Sequence, residues 1–255
     1  MWRRCRDSLV AGLGVLVPVA AAAQGLYFEG GLSFARGDYV YTQQTSGGGA
    51  AAGLAWSSRR VTARVTLPYF VRDTQLLTVS GEEPPEGTYP ALSTTGHEGS
   101  LSDPLVQVYG EVLHSSHGGV GLSGSVKVPV VEAGYFGTGE WDFGAAASLS
   151  RFVGSATMLG LDVSYWHLGD LPDFPLQDTL TGTFTLGQAF GRSWTASASV
   201  SGGRSAVAGY DDAWWVSLLV GRSFSRGIWG LTASVGLTDT APDVTVGLVW
   251  RARLN

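Results

Sequence analysis

The chain has 255 residues, with 16 Lys and Arg against 21 Asp and Glu, a formal charge of -5, 37 glycines, nine tryptophans and only 15% charged residues. An acidic balance without a basic stripe excludes nucleic acid as a partner. Beyond residue 23 no uninterrupted apolar run of about 18 residues occurs, which excludes a membrane-spanning helix there.

The first segment reads as a secretory leader. Arg3, Arg4 and Arg6 make a positive start, residues 9–19 are apolar, and Ala20, Ala21, Ala22 and Ala23 offer small residues to a signal peptidase. The expected organisation is a signal peptide over residues 1–23, cleaved before Gln24, and one domain over 24–255. Cleavage removes Cys5, the single cysteine, and shifts the formal charge to -7. An exported chain without a disulfide must be held by hydrogen bonding and packing, which a long closed sheet supplies.

From Gln24 onward, alternating stretches of about ten residues recur between clusters of Gly, Ser, Asp and Pro. The expected strands cover 25–36, 50–57, 60–72, 103–113, 119–130, 140–152, 157–168, 177–190, 192–203, 212–224, 227–238 and 243–254. Their connections alternate in length. Short ones fall at 57–59, 115–118, 153–156, 191 and 225–226, and longer or more polar ones at 37–49, 73–102, 131–139, 169–176, 204–211 and 238–242. About twelve strands, joined alternately by tight turns and larger loops, predict an all-β, antiparallel transmembrane barrel with both termini on the periplasmic side.

The segment SWTASASVSG, residues 193–202, shows the two faces most plainly. Trp194, Ala196, Ala198 and Val200 alternate with Thr195, Ser197, Ser199 and Ser201, and an extended chain throws the two sets to opposite sides. On the apolar parity, Trp56, Trp194, Phe224, Trp229 and Trp250 fall near the short turns, while Tyr69, Trp141, Tyr165 and Trp214 fall near the long loops. Two tiers of aromatics separated by Ala, Val and Leu are expected of interfacial girdles. On this reading the apolar parity faces lipid and the hydroxyl parity faces a wet lumen.

The charges obey the same parity. Glu29, Arg64, Glu111, Lys127, Asp142, Asp162, Arg251 and Arg253 are expected to line the lumen, because a charge facing mid-bilayer lipid costs about 2–4 kcal/mol. Arg36, Arg151 and Arg222 fall on the outer parity near strand ends, where long side chains snorkel. In the last strand, Gly247 and Trp250 resemble the terminal signature of barrels read by the assembly machinery, although Ala252 stands where a second aromatic is usual.

No catalytic, cofactor or metal site is expected. GVGLSG, residues 119–124, satisfies GxGxxG but opens into a strand pattern, so the helix that would cradle a phosphate is missing. His114 and His117 lie on an expected tight turn, His97 in the longest loop, and His167 near the long-loop rim on the lipid parity. A lipid-facing Ser–His enzyme would need a serine beside His167, but Tyr165 and Gly169 are its same-face neighbours.

LSDPLVQVYGEV and SVKVPVVEAGYFGTGEWDFG resemble the outer-membrane family named for the MetA pathway of phenol degradation. Ser102 and Asp103, Lys127 and Pro129, and residues 137–140 match its loop signature, whereas Val130 and Val131 depart from it. The resemblance implies an outer-membrane barrel moving small molecules, hydrophobic or aromatic ones included. The first strand begins beside the expected cleavage site, which leaves no residues for an N-terminal plug. The expected function is passive passage of a small solute across the outer membrane of a Gram-negative-type envelope. Its partners are outer-membrane lipid, the solute and the barrel-assembly machinery. The alternatives are a structural or surface-interaction barrel with a closed lumen and a lipid-modifying barrel enzyme.

Overall fold

The computed structural model describes residues 24–37, 45–72, 98–131, 139–170, 176–206 and 208–255. The expected leader lies outside the described residues, as do most of the two longest expected loops, His97 included. The described chain forms β1 (Gly25–Gly37), β2 (Thr45–Ser57), β3 (Val61–Arg72), β4 (Glu98–Leu101), β5 (Leu105–Ser115), β6 (Gly118–Lys127) and β7 (Asp142–Val153). It continues through β8 (Thr157–His167), β9 (Thr179–Phe190), β10 (Trp194–Gly203), β11 (Ala213–Ser223), β12 (Gly227–Gly236) and β13 (Val244–Arg253).

These segments build a closed barrel of twelve antiparallel staves. β1 pairs with β13 on one side and β2 on the other, and β2 pairs with β3, so the sheet closes on itself. β4 and β5 form a single stave broken by Ser102, Asp103 and Pro104: both pair with β3, at Tyr69 with Leu101 and at Thr66 with Leu105. Three residues there oppose Leu67 and Pro68, and neither Pro68 nor Pro104 has an N–H to give to the ladder. The Ser102 N–H donates to the Pro68 carbonyl at 2.9 Å, which pins the break in place.

Tight turns join the staves at one end. Gly154 and Gly191 adopt φ of 65° and 57°, the left-handed region that a side chain resists, and so close the three-residue turns between β7 and β8 and between β9 and β10. At the opposite end β2 begins earlier than its sequence pattern indicates. Residues 47–49 are all glycine, so no side chains mark the period of two, yet Gly47, Gly48 and Gly49 pair with both β1 and β3.

The apolar side chains lie mostly on the outside. Only Tyr27, Ala55, Met158, Ala189, Leu219 and Ala241 are buried apolar residues among those described, whereas Leu186, Val200, Val246 and Phe184 are 42–51% exposed. A soluble sandwich would bury that parity between its sheets. Here it forms the exterior of a cylinder.

Candidate functional site: the inner wall of the barrel

The ladder registers follow the inner wall from strand to strand. Glu29 lies opposite both Arg251 and Gly53, Ser148 opposite Asp162, Asp162 opposite Thr183, and Thr183 opposite Ser201. β9 presents Thr179, Thr181, Thr183 and Thr185 to this side, and β10 presents Ser197, Ser199 and Ser201. Thr183 and Ser201 share a hydroxyl–hydroxyl hydrogen bond of 2.9 Å.

Toward the short-turn end, Glu29 gathers two arginines. Its Oε1 lies 3.2 Å from Arg251 Nε and its Oε2 3.6 Å from Arg64 Nε. Arg64 can reach Glu29 across β2 because the inner face there carries only Gly53 and Ala55, and Ala55 is fully covered. Arg251 also donates from Nη2 to Ser57 Oγ at 2.8 Å and lies over the Tyr27 ring at 3.9 Å. Together an ion pair, one hydrogen bond and a ring face hold a guanidinium with little access to water. Arg253 sits at the very end of the wall, where its Nη2 donates to the Gln24 carbonyl at 2.9 Å.

A second cluster forms toward the long-loop end, and it joins Asp103 and Lys127 of the loop signature to Asp142. Lys127 Nζ lies 2.9 Å from Asp142 Oδ2 and 3.3 Å from Asp103 Oδ2. Asp103, buried in the break between β4 and β5, accepts the N–H groups of Val130 and Val131 on Oδ1 at 2.9 and 3.0 Å. Asp142 Oδ1 accepts the Gly169 N–H at 2.9 Å. One lysine thus binds two carboxylates that also anchor the chain leaving β6 and β8. The sequence reading placed Lys127 and Asp142 on the same wall and named Asp103 in the loop signature but not among the inner-wall charges; the Ser-Asp-Pro break was the available signal.

Glu111 owes its surroundings to a bulge. The β5–β6 register slips between Glu111 and Leu113, so Val112 and Leu113 both project outward, 54% and 63% exposed, and His114 returns to the Glu111 side. His114 Nδ1 lies 2.8 Å from Glu111 Oε1. The sequence expectation of a turn histidine did not include this contact, because simple alternation carries no sign of an inserted residue. GVGLSG, residues 119–124, runs within β6.

The inner wall also carries rings that the sequence reading did not pick out. Tyr109 lies across Gly121, where an added Cβ would come 2.1 Å from the phenol oxygen, and Trp166 covers Gly144 in the same way at 2.7 Å. Trp215 lies opposite Ser201. These aromatics follow the parity of the hydroxyls rather than that of the alanines, which is the signal that identifies them.

On the outer face the expected aromatic residues fall at the two ends of the staves. Trp56, Trp194, Trp229 and Trp250 lie toward the short turns, and Tyr69, Trp141, Tyr165 and Trp214 toward the long loops. Trp194 meets Trp229 edge-on at 6.1 Å, and the Arg222 guanidinium lies over Trp194 at 5.2 Å. Trp250 and Trp214 cover Gly30 and Gly202, their cross-strand partners. At the long-loop rim, His167 Nδ1 lies 2.9 Å from Asp178 Oδ1, and the Tyr165 hydroxyl donates to Asp178 Oδ2. The Tyr165 hydrogen bond is the main influence holding the Asp178 carboxyl below its ordinary range, with further help from His167 and the Leu168 N–H.

Neither a protein-family model nor a curated protein matches the sequence. Solved structures do match its fold. An outer-membrane channel from Pseudomonas putida F1 superposes with a TM-score of 0.73 at 10% identity, over 90% of this chain and 95% of that one. The KdgM porin gives 0.57 at 5% identity, over 89% and 99%. The CymD monoaromatic hydrocarbon channel gives 0.54 at 8% identity, over 93% and 90%. The fold is that of outer-membrane channels, in keeping with the barrel resemblance read from the sequence.

Proposed function

We propose that this chain is an outer-membrane channel of a Gram-negative-type envelope that passes a small solute passively, hydrophobic or aromatic ones included. The observation that carries this reading is the pairing of two unlike faces on one closed wall: exposed Leu, Val and Phe outside, and Ser, Thr, Gly and charged pairs inside. Lipid solvates the first face and water the second. Under the same proposal residues 1–23 act as the export signal, and the terminal aromatics sit at the two lipid interfaces.

The ion clusters run along the wall. Glu29, Arg64 and Arg251 occupy an arc from β13 to β3, four of the twelve staves, and Lys127 joins Asp142 on the neighbouring stave and Asp103 in the break between β4 and β5. Such placement favours passage over a lumen sealed by its own salt bridges. Tyr109, Trp166 and Trp215 add surfaces on which an aromatic solute stacks. Passive diffusion uses no catalytic group, and the proposal assigns none. Purified, folded protein in planar bilayers and solute-loaded liposomes tests the reading. Discrete conductance steps and solute uptake are expected; neither one appearing in repeated reconstitutions overturns it.

A further inference from the structure

Asp162 differs from every other charge discussed on the inner wall above the short-turn end. Glu29, Asp103 and Asp142 each face a cation, whereas Asp162 has no hydrogen bond or ion pair with any described residue. It stands at the centre of β8, half-buried, between Ser148 on β7 and Thr183 on β9. Carboxylates withdrawn from bulk water are ordinarily paired, and an unpaired one within a membrane-spanning wall marks a site for a partner the fold does not supply.

The surroundings fix the sign of that partner. The Tyr109 hydroxyl shares a hydrogen bond with Ser148 and lies near both Glu111 and Asp162. Glu111 stands on the same ladder row, through Gly121 and Ser148, with His114 as its neighbour. This part of the wall offers two carboxylates and a line of hydroxyl oxygens. Resting on the reading of the chain as a passage, we propose that Asp162 is its charge-selectivity site and that it favours small cationic solutes of the alkali-metal or alkylammonium class. Carboxylates projecting into a pore raise the local cation concentration, and neighbouring hydroxyls replace part of the hydration shell.

The test is the reversal potential of single channels in a potassium chloride gradient, for the wild-type protein, Asp162→Asn and Asp162→Lys. One carboxylate at contact distance in water is worth about fivefold in occupancy, so a potassium-over-chloride preference of about that size is expected. Asp162→Asn should lose the preference and Asp162→Lys should invert it. Asp178→Asn, at the outer rim, should leave it unchanged. Wild-type channels that conduct without cation preference, or that keep it in Asp162→Asn, overturn the selectivity proposal and leave passage intact. Absence of conductance in the wild-type protein overturns passage, and the selectivity proposal with it.

Discussion

Arg251 and Glu29 face each other across the seam where the last strand meets the first, with Arg251 Nε 3.2 Å from Glu29 Oε1. A barrel is complete only when this pair of strands docks, and here Arg251 meets Glu29, Ser57 and the Tyr27 ring. Arg251→Met should lower stability by about 1–3 kcal/mol, because it leaves Glu29 with the longer Arg64 contact and removes the guanidinium hydrogen bond to Ser57. The double variant Glu29→Gln, Arg251→Met should cost less than the sum of the single changes. Urea unfolding in lipid vesicles checks both expectations.

Ala198 and Ser199 are adjacent at the middle of β10 and belong to opposite faces. Ala198→Arg should destabilise the barrel by about 2–4 kcal/mol, since it drives a charge toward mid-bilayer lipid. Ser199→Arg should cost far less, because its side chain enters a hydrated lumen. Equal penalties in folding titrations would contradict the assignment of faces.

Gly202 and Gly182 pair across β9 and β10 but meet different surroundings. A Cβ on Gly202 would fall 2.4 Å from the Trp214 ring, whereas one on Gly182 would meet nothing within 4 Å. Gly202→Ala should therefore cost about 1–3 kcal/mol through displacement of the indole. Gly182→Ala should be neutral or slightly stabilising. Unfolding midpoints of the two variants check the contrast, and tryptophan fluorescence should change only in the first.

Asp178 carries the pH prediction. Its carboxyl is held low chiefly by the Tyr165 hydroxyl. A depressed folded-state value means that its contribution is present above the ordinary carboxylate range and is lost as pH falls through the lowered value. Tyr165→Phe should move the Asp178 titration upward toward the ordinary range. Carboxyl NMR of selectively labelled protein reads this directly, and an unchanged midpoint would refute the role given to Tyr165.

The alternation in the sequence was enough for the twelve-stave wall, because period two is set by backbone geometry and repeats wherever side chains record it. It failed where that record is interrupted. Gly47, Gly48 and Gly49 carry no side chains, so the start of β2 read as loop. One inserted residue after Glu111 returned His114 to the Glu111 side. Asp103 lies in a break whose two flanking prolines obscure the ladder, so its contact with Lys127 depends on tertiary pairing. Parity put Glu29, Arg64, Lys127, Asp142 and Arg251 on one face, but their gathering into two clusters depends on which strands pair and was not legible in it. It could not indicate that Arg253 ends on the Gln24 carbonyl, because that contact depends on where the strand stops.

The most direct test of the central claim is thiol accessibility along β10 in outer-membrane vesicles. Single cysteines at positions 196 to 201, in a Cys5→Ser background, would be treated with a small water-soluble thiol reagent. The account predicts reaction at Ser197→Cys, Ser199→Cys and Ser201→Cys and protection at Ala196→Cys, Ala198→Cys and Val200→Cys, with the reverse order for a lipid-soluble reagent. Uniform labelling, or labelling of the alanine parity by the water-soluble reagent, would contradict it.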